Sequence, residues 1–362
     1  MSNDKETPLV LVTGASGFIS LHIIQLLQKE GYKVRGTVRS LKNEAKVKPL
    51  RELCPNAKYQ IELVEADLTK DDGWRNAVKD CTYVLHVASP FPNVPPESEE
   101  DLIKPAVEGT KRVLRACSHS ESVKRVVLTS SIASVHGETT VENGKVYNES
   151  DWSDVNSPYL DAYAKSKTLA EKAAWDFVKD LPASKRFELA TVNPALVIGP
   201  IISGTVSTST EVIKRLLDGS MPMLPRLNFS LCDVRDVAEA HLKAMIVPEA
   251  AGNRHIVASD HLWMRDMANI LTEEFAQYNY HISAWNAPYI TLWFFSCIDK
   301  STSLILKRIG KKYMYDNKRT KEVLGVQLID IKKSLIDTIY SMIDNGVLKK
   351  TSQYRNKREN SK

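Results

Sequence analysis

Leu9–Thr13 is a short apolar run; Gly14-Ala15-Ser16-Gly17 follows directly, and then an amphipathic stretch from Phe18 to Lys29. No other feature of the chain narrows its fold as much. A strand that turns at a glycine into a helix is the opening βα unit of a nucleotide-binding sheet, because the helix start offers unpaired N–H groups to an anion. Gly14 suits the tight turn, and Gly17 lets the backbone approach a pyrophosphate. Ile19, Ile23, Leu26 and Leu27 share one stripe of the predicted helix, which Gly31 ends. Ser20 takes the place of the third glycine of the general fingerprint and is small enough for close packing of helix on strand.

The alternation of apolar runs and amphipathic stretches continues to about residue 200. Strands are predicted over Lys33–Arg39, Ile61–Ala66, Tyr83–Ala88, Arg125–Leu128 and Leu189–Asn193, and further helices over Leu102–Cys117 and Ala162–Val178. This is the pattern of an α/β chain with a Rossmann-type doubly wound parallel sheet. Beyond Pro200 the alternation breaks up, which predicts a smaller, mixed α/β C-terminal substrate lobe. The expected division is residues 1–200 for the dinucleotide-binding domain, 201–348 mainly for the lobe with some elements returning, and 349–362 for a basic flexible tail.

The formal net charge is +5, and Lys349–Lys362 alone carries six basic residues and one acid. The body of the chain is therefore balanced, and no basic face points to a nucleic-acid partner. The five cysteines, Cys54, Cys81, Cys117, Cys232 and Cys297, form no C-x-x-C pair and no metal-ligand cluster. The polar start is unlike a signal peptide, and no apolar run reaches the roughly 18 residues of a membrane span, so a cytoplasmic chain without stable membrane insertion is expected. Ile282–Ile298, with Trp285, Trp293, Phe294 and Phe295, reads as a core or substrate-covering helix rather than a membrane-surface one. His86 reads as a satisfied core histidine, and Met221–Pro225 as a pocket wall or simple packing.

An enzyme that uses NAD would show Asp or Glu at the end of its second strand to accept bonds from the ribose hydroxyls. This chain shows Thr37-Val38-Arg39-Ser40. A guanidinium cannot accept such bonds but can clamp a 2′-phosphate, so the expected cofactor is NADPH. Lys42 and Lys46 follow within reach of the phosphate, with a solvated surface as the alternative for both. Asp67 and Leu68 close the third strand where an adenine would lie. Asp67 has two roles open to it there, acceptor for the adenine amine or cap of a turn.

Tyr163 and Lys167 are four residues apart on a predicted helix and so project from one face. A phenol with an ordinary pKa near 10 is a poor acid at neutral pH, and the neighbouring ammonium is expected to stabilise its phenolate. Arg125–Leu128 runs on into Thr129-Ser130-Ser131, which puts two serine hydroxyls at the carboxyl edge of the sheet, where parallel sheets bind ligands. Either could hydrogen-bond a substrate carbonyl.

With these segments in this order, the chain resembles the extended short-chain dehydrogenase/reductases, nearest the dihydroflavonol 4-reductase, cinnamoyl-CoA reductase and yeast-type aldehyde/ketone reductase group. The resemblance rests on Val12–Ile19, Val34–Arg39, His86–Pro90, Thr129–Ser131, Tyr163–Glu171, Asn193–Pro200 and Val234–His241. It implies a catalytic triad of Ser131, Tyr163 and Lys167, Ser130 being the other candidate for the serine. It further implies cofactor contacts from Thr13, Gly14, Ser16, Gly17, Phe18 and Ile19 in the glycine turn and from Arg39, Lys46, Asp67 and Leu68 around the adenosine. Val87, Ala88, Ser89, Tyr163, Lys167, Asn193, Pro194 and Val197 would face the nicotinamide half. Ser134-Val135-His136 departs from the asparagine that plant flavonoid reductases carry in this region.

The implied reaction is hydride transfer from NADPH to the carbonyl of a small aldehyde or ketone. Aromatic aldehydes, short aliphatic carbonyls and methylglyoxal-like dicarbonyls all fit, and no sequence feature bears on oligomeric state. An epimerase/dehydratase or sterol dehydrogenase/isomerase on the same fold is the alternative, disfavoured by Arg39. A non-enzymatic NADP-binding regulator is disfavoured because tyrosine and lysine are both kept.

Overall fold

In strand β1 (Leu9–Val12), Val10 and Val12 join one core cluster and Leu11 another, as the period of two requires of a strand buried on both faces. The computed structural model describes residues 7–89, 98–140, 144–204, 206–283, 285–296 and 306–359. In chain order the other strands are β2 (Lys33–Val38), β3 (Glu62–Glu65), β4 (Tyr83–His86), β5 (Arg125–Thr129), β6 (Val146–Tyr147), β7 (Glu188–Pro194), β8 (Leu196–Ile198), β9 (Asn228–Asp233), β10 (Arg254–Val257), β11 (Asp260–Trp263) and β12 (Met314–Tyr315). The helices used below are α1 (Phe18–Lys29), α2 (Glu44–Arg51), α3 (Trp74–Val78), α4 (Glu100–Ser118), α5 (Ala162–Lys179), α6 (Thr208–Leu217), α7 (Val234–Ile246), α8 (Met264–Phe275) and α9 (Tyr289–Ser296).

Seven strands form one parallel sheet in the order β10-β7-β5-β4-β1-β2-β3. The chain leaves β1 toward β2 and β3 on one side, then returns to β4 and the remaining strands on the other. That reversal opens a crevice at the carboxyl ends of β1 and β4, where open α/β sheets take ligands. Helices α1 and α7 cover one face and α4 and α5 the other. Ile23, Ile24 and Leu27 of α1 are essentially fully buried, each worth about 1.5–3 kcal/mol relative to exposure. Gly31 ends that helix at φ +80° while Tyr32 N–H bonds back to Leu27 O at 3.0 Å, a reversal a side-chain-bearing residue would resist.

The smaller lobe has its own sheet, β11-β9-β8, and its own core of Ile213, Leu216, Met267, Leu271 and Phe275, closed by Leu335 and Ile339 of the helix Ile331–Asp344. Only Ala195 separates β7 of the large sheet from β8 of the lobe, so the chain crosses between the layers slightly before residue 200. It returns through α7, which packs on α1, and β10, which pairs with β7.

Two segments differ from expectation. The predicted flexible tail carries the helix Ser352–Glu359, and Tyr354 is only 2% exposed, its ring 5.2 Å from that of Tyr278. Aromatic area buried against the lobe outweighs the polar composition of the tail. In the stretch predicted as a core or covering helix, α9 forms, but Trp285 is 78% exposed and Tyr289 59%. Its backbone is tied to the Met221–Pro225 loop, where Leu224 N–H donates to Trp285 O at 2.7 Å and Ala287 N–H to Leu224 O at 2.8 Å. The side chains of Trp293, Phe294 and Phe295, and all of Pro90 and Cys297–Asp299, lie outside the described residues.

Candidate active site

At the end of β1 the chain turns at Gly14, whose φ is +66° and where an added Cβ would stand 3.0 Å from that of Ala88. Gly14 N–H donates to Thr37 Oγ1 at 2.9 Å, which ties the turn to β2. No side chain caps the start of α1 at Gly17, so its first-turn N–H groups face the cleft. Ser16, Gly17, Phe18 and Ile19 line a cleft of about 680 Å³ that crosses the carboxyl edge of the sheet.

Arg39 stands exposed on the wall at the end of β2, near Asp67. Asp67 Oδ1 accepts the N–H and the hydroxyl of Thr69, both at 2.8 Å, so of its two possible roles the turn is the one its bonds display. The Thr69 N–H first, with Arg39 contributing, holds its carboxyl below the usual range. Leu68 lines the same end, and Val87, Ala88 and Ser89 line the middle. Lys46 lies on α2, outside the residues that form the wall. Thr13 is fully buried behind it, where its hydroxyl accepts from Ala88 N–H at 3.0 Å and bonds His86 Nδ1 at 2.9 Å. His86 is thus a satisfied core histidine, and burial brings its pKa down to about 3.

Asp161 starts α5 by accepting Ala164 N–H at 2.8 Å, which points Tyr163 and Lys167 along one face into the cleft. Ser131, in extended conformation at the end of β5, heads the short turn Ile132–Ser134 and accepts Ala133 N–H at 3.1 Å. Its hydroxyl is also the hydrogen-bond partner of the Tyr163 phenol. Ser130 takes a different course: its hydroxyl donates to the buried Glu171 at 2.5 Å. The two serines, equivalent by spacing, are separated by the alternation of side chains as the strand ends.

Although Tyr163 is 40% exposed at the cleft, desolvation pushes its phenol up, Ser131 pulls it down, Asp161 pushes it up again, and the balance is a raised pKa. The lysine is not among the groups that set this balance. Burial lowers Lys167 itself to about 8 against the opposing pull of Glu171, so the ammonium is desolvated.

Pro194 and Val197 line the cleft where β7 passes into the lobe, whereas the Asn193 side chain turns away into the interior, donating to Glu171 Oε2 at 2.9 Å and Ser131 O at 3.3 Å. In this arrangement the Asn193 side chain contacts the serine loop, and it is not part of the cleft wall. Sequence reasoning missed Thr37, Ser207 and Ser209 on the wall. Thr37 was within the quoted strand, and Ser207 carried the signal of a helix cap, accepting Thr210 N–H at 3.2 Å at the start of α6. Among the described residues no group of His, Cys, Asp and Glu could hold a metal, and no helix is long and apolar enough to cross a membrane.

The residues present suit a dinucleotide: an uncapped helix start and a glycine turn for a pyrophosphate, and a guanidinium where a 2′-phosphate would lie. The profile of the NAD dependent epimerase/dehydratase family matches residues 10–258. The NADPH-dependent methylglyoxal reductase of Saccharomyces cerevisiae is 36% identical over 349 residues, covering 91% of this chain and 96% of that protein. Cinnamoyl-CoA reductase 1 of Petunia hybrida is 35% identical over 342 residues, 94% of this chain and 93% of that one. The solved yeast methylglyoxal/isovaleraldehyde reductase complexed with NADPH superposes with a TM-score of 0.75 at 32% identity, covering 94% of this chain and 99% of that chain.

Proposed function

We propose, because the chain belongs to the NAD dependent epimerase/dehydratase family, that its cleft reduces small aldehydes and ketones. The chain is an NADPH-dependent oxidoreductase, in keeping with the methylglyoxal and cinnamoyl-CoA reductases it is similar to. When bound, the cofactor supplies the hydride. The Gly14–Ile19 turn would hold its pyrophosphate and Arg39 its 2′-phosphate, while Lys167 would hold the nicotinamide ribose.

Ser131 orients and polarises the substrate carbonyl, and Tyr163 gives its proton to the oxygen that becomes an alkoxide. A phenol whose pKa is shifted upward is protonated and ready as that acid. Lys167, one turn on, supplies positive charge as the proton leaves. The observation that carries this reading is the Ser131–Tyr163 hydrogen bond at the inner end of the cleft that begins at the glycine turn. The Arg39 guanidinium speaks for a phosphorylated cofactor and so against an NAD-using epimerase. The free cysteines Cys54, Cys81, Cys117 and Cys232 suit a reducing, cytoplasmic setting.

Tyr163→Phe removes the proton and leaves the ring, so turnover should fall by about two to four orders of magnitude, the usual worth of a positioned acid, with NADPH affinity unchanged. Turnover is read from loss of NADPH absorbance across methylglyoxal, short aliphatic and aromatic aldehydes. A variant as fast as the parent on the same aldehyde would overturn the assignment.

A further inference from the structure

Two turns beyond Tyr163 on the same face of α5 lies Glu171, with a side chain wholly out of water. Its Oε2 accepts the hydroxyls of Ser130 and Ser134, both at 2.5 Å, and the Asn193 amide at 2.9 Å. Its Oε1 accepts Arg254 Nε at 2.7 Å, Thr191 Oγ1 at 3.1 Å and Trp175 Nε1 at 3.3 Å. Arg254 is 6% exposed, with its Cζ 3.8 Å from the centre of the Trp152 ring, and it donates from Nη1 to the carbonyls of Glu149 and Asp151 at 3.0 and 2.5 Å.

A buried ion pair is a poor route to stability, since the cost of desolvating both charges roughly cancels their attraction. Here the carboxylate joins four separate elements: α5, the loop after β5, β7 and β10. Asn193, held by Glu171, in turn donates to the backbone carbonyl of Ser131. We propose that Glu171, neutralised by Arg254, is the positioning residue of the reductase site, fixing the Ser131 loop and the Tyr163–Lys167 face of α5 in one arrangement. The proposal rests on the function proposed above.

Electrostatics point the same way. Burial favours the neutral amine of Lys167, and Glu171 opposes it by attraction. Burial alone would also raise the Glu171 carboxyl, yet Arg254 and the two serine hydroxyls hold it below its ordinary value. Of the other groups around Lys167, His86 from β4 stays neutral, and Tyr163 and Asp161 lie toward the helix start. Removing the Glu171 charge should therefore lower the pH at which Lys167 loses its proton.

The test follows kcat and KM against pH for the full chain with NADPH and an aldehyde that the parent reduces. Glu171→Gln should cut kcat by about 10- to 100-fold and move the alkaline limb of kcat/KM down by about one pH unit, whereas Glu171→Asp should lose rate but keep the parent's limb. A Glu171→Gln enzyme with the parent's limb overturns the proposal, whether or not its rate falls, because loosened packing alone does not move a titration. If Glu171→Gln fails to fold by circular dichroism, Glu171→Asp decides. A lower kcat at unchanged aldehyde KM and unchanged limb supports the proposal, and the parent's kcat, or a loss carried by KM, overturns it. Tyr163→Phe is run alongside: if it keeps the parent's rate, the proposed function itself has failed. Parent-like Glu171 variants beside an inactive Tyr163→Phe reject only the role of Glu171.

Discussion

An ammonium stripped of most of its water gives up its proton more readily, and Lys167, at about 8, sits within reach of ordinary assay conditions. Its useful form is the acid, so its contribution is complete below that value and fades as pH rises through it. The phenol of Tyr163 is shifted upward and stays protonated over the same range. The alkaline limb of kcat/KM for the free enzyme should therefore fall near pH 8. A limb above about 10, the ordinary range of tyrosine and lysine, would show that the lowering of Lys167 does not operate in solution. Arg39 makes a separate prediction. Charge-assisted bonds to a phosphate are worth about 1.5–3 kcal/mol, so Arg39→Ala should reduce the preference for NADPH over NADH by about 10- to 100-fold. Affinity titrations with both cofactors check it, and an unchanged ratio would place the 2′-phosphate elsewhere.

At the scale of elements, α5 carries most of the chemistry and its start is fixed by one side chain. Replacing Asp161 with Ala removes the bond to Ala164 N–H and should lower stability by about 1 kcal/mol in thermal or urea unfolding. Full stability in that variant would mean the helix is set by its packing alone. Such elements were legible because local rules dictate them: the apolar runs of β1, β2 and β5 need burial on both faces, and the stripe on α1 needs a core. The glycine turn, Arg39 and the Tyr163–Lys167 spacing were readable for the same reason. What lay beyond reach depends on distant partners. Asn193 faces inward because Glu171 and Ser131 await it there. Tyr354 is buried because Tyr278 and Tyr340 form its seat, whereas Trp285, for all its apolar area, is exposed. Spacing does not distinguish Ser130 from Ser131; their side-chain directions at the end of β5 do, one hydroxyl bonding Tyr163 and the other Glu171.

At the scale of the whole molecule, the large domain buries several histidines in neutral form. Burial brings His22, His241 and His255 to about 4, and His86 to about 3. His241, for example, spends its nitrogens on Val237 O at 2.7 Å and Thr129 Oγ1 at 2.6 Å. Because folded values lie below the unfolded one near 6.5, the fold must resist their protonation. Stability is complete above about pH 6.5 and is lost as pH falls toward 4. Melting temperatures taken between these limits should decline steadily, and a flat profile would contradict neutral burial.

Arg254 belongs to β10, the edge strand of the large sheet, yet it neutralises Glu171, which lies 83 residues earlier in the chain. A polypeptide still emerging from the ribosome can therefore shape the glycine turn long before it can seat that carboxylate. Nucleotide capture and chemical competence should be acquired at different moments of synthesis, the second only after the last strand of the large sheet has docked.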